Sequence, residues 1–500
     1  MKRLLTLLLV AIFALGCVGA AKADGIDLKV QGQWDFAFGW AVNNAFTDNV
    51  NRRTSRSNDD FIARHRIRTQ VNFITSEYLE AVLMFEIGNL DWGRGGSSGR
   101  SSGGALDADG VNVETKRAYL NWVIPSTEIS VQMGIQGLKL PSTPMGSPVF
   151  DADVAGVVVS SPITSWWSVT AFWIRPFDAY YNDTDSGFAN RHLDDELDAF
   201  GLIMPFKGDG WQFSPWGIYG RVGASSGVYD YLFTNNRWSN TNDVQNESTH
   251  VWWAGAHLKV DILDPLIFNF EGIYGRLGGN QVNFANLRQV PAYPGGTYAR
   301  WAAADEIKAR GYFLAATLDY KLDWGTPGIF GWYASGDGKR AARDGKIGRM
   351  PVLGNDTGSF KPTSFGTAGK LAIDTDAVIS GTGTGTWGVG AKIADMSFIE
   401  DLNHVIRVAY YRGTNRHEHV ENGNAPLRYQ VDGVYLTDKD SVWEVNFDHT
   451  YNIYENLTAV VELGWLHLDT DKDVWRNVGS ANKDEKSNAW KAQLLFQYKF

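Results

Sequence analysis

Between Ile26 and the last residue, runs in which apolar side chains recur with a period of two appear again and again. No stretch in that range is long and apolar enough to cross a membrane as a helix. In the first run Ile26, Leu28, Val30, Trp34, Phe36, Phe38 and Trp40 share one face, while Asp27, Lys29, Gln31, Gln33 and Asp35 share the other. His250, Trp252, Ala254, Ala256, Leu258, Val260 and Ile262 repeat the pattern in mid-chain, and Leu457, Ala459, Val461, Leu463 and Trp465 repeat it near the end. Each such strand has one greasy and one polar face. A soluble sandwich uses strands of this kind too, so a single one decides nothing.

The connections decide. Short ones lie near 75–78, 124–128, 160–165, 207–210, 263–265, 323–327, 395–403 and 452–456, with turn chemistry such as Lys207-Gly208-Asp209-Gly210 and Asp264-Pro265. Long ones, rich in Gly, Ser, Asn and Asp, lie near 42–60, 91–112, 139–152, 176–195, 224–247, 279–305, 337–385, 414–439 and 470–487. Short turns at one end and long loops at the other are the layout of an all-β, transmembrane antiparallel β-barrel, with periplasmic turns and extracellular loops. Eight turns and nine loops connect 18 strands, an even number. The run at 153–159 is the weakest of them, and 16 strands is the alternative.

The segment before the first strand is an address. Lys2 and Arg3 precede an apolar run from Leu4 to Leu15, and Ala21-Lys22-Ala23 offers a small-x-small exit before Asp24. This predicts a cleaved signal peptide over 1–23 and a single barrel domain over 24–500. Cleavage there discards Cys17, the only cysteine, so no disulfide or thiolate metal site is expected. A net charge of −10 excludes a chain that coats nucleic acid. With 20 Trp, 20 Tyr and 26 Phe, disorder is excluded as well.

At the other end Ala492, Leu494, Phe496, Tyr498 and Phe500 alternate with Lys491, Gln493, Leu495, Gln497 and Lys499. Aromatics at Phe496, Tyr498 and Phe500 look like the assembly signal of outer-membrane barrels. With the signal peptide, the immediate first strand and the even strand count, the chain resembles general diffusion porins over its whole mature length. The long form, rich in Trp and with acidic loops, looks like the outer-membrane homotrimeric porins of sulfate-reducing bacteria. That resemblance implies a homotrimer of water-filled channels in the cell outer membrane of a Gram-negative organism. Its expected partners are outer-membrane lipid and lipopolysaccharide, the barrel-assembly machinery during insertion, and small hydrophilic solutes and ions, with no nucleic acid and no cofactor.

The second strand carries the candidate selectivity residues. Arg64, Arg66, Arg68, Gln70 and Asn72 fall on one face, opposite Ala63, His65, Ile67, Thr69, Val71 and Phe73. Four residues of strand span roughly 13 Å, so the three arginines form a ladder. On a lipid face each would cost about 2–4 kcal/mol at mid-membrane, which places them in the lumen. Arg117 joins this basic wall if Arg117, Tyr119 and Asn121 face inward. The competing reading makes the arginines structural, paired with acids to satisfy the wall. In porins the third loop folds into the barrel and sets carboxylates against a basic wall. Here that connection, Lys139–Ala152, holds Pro141, Pro144, Pro148 and Gly146, with Asp151 and Asp153 at its end as the candidate acids.

Enzymatic and metal motifs are weak. Gly223-Ala224-Ser225-Ser226-Gly227 spells a nucleophile elbow, yet no helix follows it. Gly381–Gly390 lacks the lysine of a phosphate loop. His417-Glu418-His419 with Glu421 could hold a metal, but no third histidine is near, which favours a solvated charged loop. Asp469, Asp471 and Asp473 imitate a calcium loop whose sixth and twelfth positions are Val474 and Ser480. No enzyme and no metal site is expected. Two functions remain: a channel for passive diffusion of small hydrophilic solutes, and a substrate-selective channel (for sugars or organic anions) with an aromatic-lined lumen. Outward girdle positions for Trp166-Trp167, Tyr180-Tyr181, Trp252-Trp253 and Tyr410-Tyr411 favour the first, inward stacking the second.

Overall fold

The computed structural model describes residues 25–42, 59–93, 113–178, 196–223, 248–281, 306–353, 358–365, 382–420, 429–430, 433–475 and 488–500. The signal peptide, the Ala224–Gly227 part of the elbow spelling, Tyr180-Tyr181 and Glu421 lie outside them.

Among the described residues, eighteen antiparallel strands close into one barrel. They are β1 (Asp27–Val42), β2 (Asp59–Ser76), β3 (Leu79–Asp91), β4 (Val113–Val123), β5 (Ser130–Lys139) and β6 (Asp151–Thr164). β7 (Trp167–Asp178), β8 (Glu196–Ile203, resuming as Phe206–Gly208), β9 (Trp211–Val222), β10 (Thr249–Val260), β11 (Leu266–Gln281) and β12 (Glu306–Tyr320) follow. The set ends with β13 (Thr326–Ala334), β14 (Thr386–Ile399), β15 (Leu402–Gly413), β16 (Ser441–Tyr454), β17 (Leu457–Asp469) and β18 (Asn488–Lys499). Pairing pauses within β8 at Pro205, which has no N–H to give the ladder. The run around 153–159 is a full strand, so the count is 18 and not 16.

Each strand pairs with the next along the chain, and β18 pairs with β1 from Gln33↔Lys499 to Val42↔Trp490, so no edge is left open. The short turns need few special conformations: Gly210 (φ +68°) and Asp401 (φ +62°) supply two of them.

The two faces separate as the alternation requires. Trp34, Trp40, Phe61, Tyr219, Ile329, Val389 and Trp443 project outward and are exposed. A continuous apolar surface of this kind suits lipid, not water. Asp35, Ala37 and Ala41 on β1, like Trp253 on β10 and Phe313 on β12, point inward and are buried. What they pack against is loop. The third long connection contributes Leu140, Met145, Val149 and Phe150, and the seventh contributes Ile347, Met350, Val352, Leu353, Phe360 and Phe365. Both enter the barrel and form one apolar core with the walls of β5 to β18. The Trp253 indole N–H donates to the Pro351 carbonyl at 2.6 Å, which satisfies its polar atom inside that core.

The two loops also meet each other. Ser359 donates its N–H to the Ser147 carbonyl at 2.8 Å, and Lys361 donates to the Met145 carbonyl at 2.6 Å. Beyond that junction the seventh connection reaches the far wall. Ser364 N–H donates to Asn446 Oδ1 at 3.2 Å, and Phe365 N–H donates to Glu444 Oε1 at 3.0 Å. Thr143 N–H in the third connection donates to Glu271 Oε2 at 3.2 Å.

Candidate functional site

Register fixes the direction of the arginine ladder. In an antiparallel ladder directly opposed residues share a face, and Arg66 stands opposite Asp35, Arg64 opposite Ala37 and Arg68 opposite Gln33. Asp35 and Ala37 are buried in the lumen wall, so all three arginines point inward. Arg117 stands opposite Met84, itself opposite Gln70, and so shares that face; Tyr119 and Asn121 follow.

Each rung is paired with an acid on a neighbouring strand. Arg64 Nε lies 2.5 Å from Asp91 Oδ1, Arg66 Nη2 lies 3.5 Å from Asp35 Oδ2, and Arg68 Nε lies 2.5 Å from Glu86 Oε2. Asp35 is further held by Gln33 and by Gln497 of β18 at 2.9 and 3.0 Å, which fixes its oxygens towards Arg66. The arginine ladder is therefore half of a mixed wall, alternately basic and acidic around the circumference. The same scheme continues elsewhere inside the barrel. Lys392 reaches Asp319 at 3.0 Å, Arg407 reaches Asp448, and Lys491 reaches Glu462 at 2.7 Å.

The predicted acidic pair sits differently from its expected place. Asp151 and Asp153 belong to the start of β6, and the third connection proper runs over 140–150. Asp151 pairs with Lys139 at 3.2 Å. Asp153 joins Arg117 at 2.7 Å and Lys116 at 2.8 Å, so two predicted residues do come together, side by side along the wall. The reason is a parting of strands. β4 and β5 pair only from Ala118↔Ile135 to Val123↔Ser130, and a bulge on β4 sets both Lys116 and Arg117 opposite the Met84–Phe85 step of β3. The seam that opens there holds a cavity of about 520 Å³ lined by Arg68, Lys116, Arg117, Leu138, Asp151 and Asp153. Four cationic side chains (Arg68, Lys116, Arg117 and Lys139) thus meet three carboxylates (Glu86, Asp151 and Asp153).

Asp35, Glu86 and Asp91 were not singled out in the sequence. Parity could have found Asp35 and Glu86, which alternate with outward Trp34, Phe36 and Phe85. Asp91 could not be found so, because the β2–β3 register shifts between His65 and Ile67. The seventh connection also carried a signal, a scatter of Met, Val, Leu and Phe through a polar loop.

The remaining motifs separate into parts. Trp166, Trp252 and Tyr410 are directed outward, while Trp253 and Tyr411 are directed inward. The inward ones are sealed in the loop core, at 1% and 0% exposure, so no solute stacks on them. Asp471 caps the helical turn Lys472–Trp475 through Oδ1, accepting from Asp473 N–H at 2.9 Å, which a calcium ligand at that oxygen would disrupt. His417 and His419 lie in a single helical turn and part company: His419 is buried near Tyr435, and His417 turns to Asp438.

A scan against protein-family models finds no match, and a sequence search of curated proteins finds none either. Solved structures do resemble the chain in shape. Pseudomonas aeruginosa OprD aligns at TM-score 0.48 and 10% identity, over 96% of this chain and 97% of that one. Acinetobacter baumannii OccAB1 aligns at 0.49 and 12%, over 96% and 99%. Pseudomonas aeruginosa OccK2 (OpdF), solved in complex with glucuronate, aligns at 0.49 and 12%, over 95% and 98%.

Proposed function

We propose that the chain is an outer-membrane porin, exported through a cleaved signal peptide, that conducts small hydrophilic solutes and ions by passive diffusion and catalyses no reaction. The observation that carries this reading is the closed barrel whose outer face is apolar and whose inner face bears the paired ladder of Arg64, Arg66 and Arg68. Charges cost least where water remains, and a wall of this kind sets a transverse field that admits polar solutes and disfavours apolar ones. Arg117 and Asp153 extend that wall along the β4–β5 seam. Association into homotrimers, contact with lipopolysaccharide and insertion by the barrel-assembly machinery belong to the same proposal.

The junction of the third and seventh connections favours a second reading, a substrate-selective channel. Two inserted loops tied to each other and to the far wall leave less room than one. Burial of Trp253, Trp332 and Tyr411 argues against selection by ring stacking, so selection would act through the charged wall.

Single-channel recording in planar bilayers tests the proposal. Stepwise conductance that scales with salt and with solute size supports passive diffusion. Saturating transport of one solute class supports the selective reading, and absence of any channel overturns both.

A further inference from the structure

Away from the arginine ladder, the connection between β15 and β16 brings three metal-ligating groups to one point. His417 Nδ1 lies 2.8 Å from Asp438 Oδ1 and 3.5 Å from Glu418 Oε2, and each of the three residues offers a ligand atom within 4.8 Å of those of the other two. Around a tetrahedral ion with bonds of about 2.0–2.2 Å, neighbouring donors stand roughly 3.3–3.6 Å apart. The cluster is therefore close to the size such an ion needs.

The oxygens are sorted. Glu418 Oε1 is held by Lys339 Nζ at 2.6 Å and by Arg416 Nη2 at 3.3 Å, and Asp438 Oδ2 by Arg416 Nη1 at 3.0 Å. These bonds take the outer oxygen of each carboxylate and turn the inner one towards the histidine. Glu418 Oε2 is buried and has no hydrogen-bond partner among the described residues. Asp438 Oδ1 also accepts the His417 backbone N–H at 2.9 Å, which fixes that carboxylate against the first residue of the helical turn. Ligating carboxylates in metal sites are oriented by hydrogen bonds of this kind. The backbone supports the arrangement, since Asp438 N–H donates to the Asn415 carbonyl at 2.7 Å and clamps the two ends of the connection together.

We propose that His417 Nδ1, Glu418 Oε2 and Asp438 Oδ1 bind a borderline divalent ion of the zinc kind, with a fourth position open to water. One imidazole and two carboxylates select this class over calcium or magnesium, which prefer oxygen-only sets. Binding replaces the His417–Asp438 hydrogen bond with two bonds to the ion, and the imidazole proton moves to Nε2. The ion then locks the entry and exit of the β15–β16 connection at the mouth of the barrel, and it does so whether or not the channel reading holds.

The test uses the full-length protein, folded in detergent and stripped with chelator, then titrated with Zn2+ against a chromophoric competitor and with Co2+ followed by visible absorption. We expect one ion per chain and an absorption of tetrahedral type. His417→Ala and Glu418→Gln should each weaken binding by at least about 10-fold, as loss of a directing or ligating group does. His449→Ala is the control, because His404 and His449 place their Nδ1 atoms 2.6 Å apart elsewhere on the barrel; it should bind as the parent does. If His417→Ala does not fold, judged by heat-modifiable migration, Glu418→Gln carries the comparison. Absence of stoichiometric binding, unchanged affinity in the folded variants, or loss in His449→Ala alone overturns the proposal.

Discussion

Ser359 donates its N–H to the Ser147 carbonyl oxygen at 2.8 Å, and Ser147 N–H donates back to Ser359 Oγ at 3.1 Å. Two connections whose contacting residues lie 212 positions apart are thereby joined inside the barrel. Gly146 makes the approach possible. Its φ of +91° suits glycine, and a Cβ there would stand 2.0 Å from the Ser359 carbonyl oxygen. Gly146→Ala should therefore open the junction, with backbone strain alone costing about 1–3 kcal/mol. The expected outcome is a folded barrel with higher single-channel conductance than the parent. Equal conductance would mean that the junction does not bound the passage.

Arg64, Arg66 and Arg68 face Asp91, Asp35 and Glu86, so neutralising the ladder also leaves three carboxylates in excess. The triple change to Gln should keep the fold, because Gln is tolerated in a wet lumen, and should move ion preference strongly towards cations. Reversal potentials under a salt gradient measure it. The shift should fade as salt rises, since the screening length falls to roughly 3 Å at about 1 M. An unchanged reversal potential at low salt would reduce the arginines to wall structure.

Asp337 anchors the seventh connection at its root. It is fully buried, accepts from Arg349 Nε at 3.0 Å and from the Tyr435 hydroxyl at 3.1 Å, and receives the Gly348 amide at 3.1 Å. Burial pushes its carboxyl up, but Arg349, His419, Tyr435 and Gly348 outweigh that and hold it below its ordinary value of 3.8. The stabilisation is thus complete above pH 3.8 and is lost as pH falls through the lower, folded value. Asp337→Ala takes the carboxylate away from a buried guanidinium, at a local cost of about 3–5 kcal/mol. Limited proteolysis should cut the 335–385 connection of this variant faster than that of the parent, while the barrel keeps its heat-modifiable migration. Equal cutting rates would place the anchor elsewhere.

The parts legible in the sequence were those that obey a period. Alternation placed Arg64, Arg66 and Arg68 on one face, because side chains must alternate between lipid and lumen, and the regular exchange of short turns for long loops pointed to eighteen strands with sixteen as the alternative. Asp91 and Asp153 escaped that logic. Their positions depend on a register shift in β2–β3 and on the parting of β4 from β5, and a period-two pattern carries no trace of either. Asp438 was invisible as a partner of His417 because the two are 21 residues apart in a loop, where no periodicity relates them. The pairing of Trp253 with Pro351 is longer-range still: alternation sets Trp253 on the face opposite Trp252, but carries no trace of the loop residue that meets it there.

Barrel closure rests on the β1–β18 seam, and its last rung is unusually tight. Gly32 N–H donates to the Phe500 carbonyl at 2.9 Å, and Phe500 N–H donates to the Gly32 carbonyl at 3.1 Å. A Cβ on Gly32 would meet the Phe500 ring and the Arg68 carbonyl oxygen, each at 2.6 Å. The ring can swing aside, but the Arg68 carbonyl belongs to the neighbouring strand and cannot, so Gly32→Val must distort β1 itself. Deleting Phe500 removes the same rung from the other side and strips a stacked neighbour from Tyr498, whose ring centroid lies 6.0 Å away. Both changes should lower the yield of folded, heat-modifiable protein, and by more than Trp443→Ala, which removes an outward aromatic and leaves the seam untouched. Parity among the three yields would show that closure does not depend on this rung.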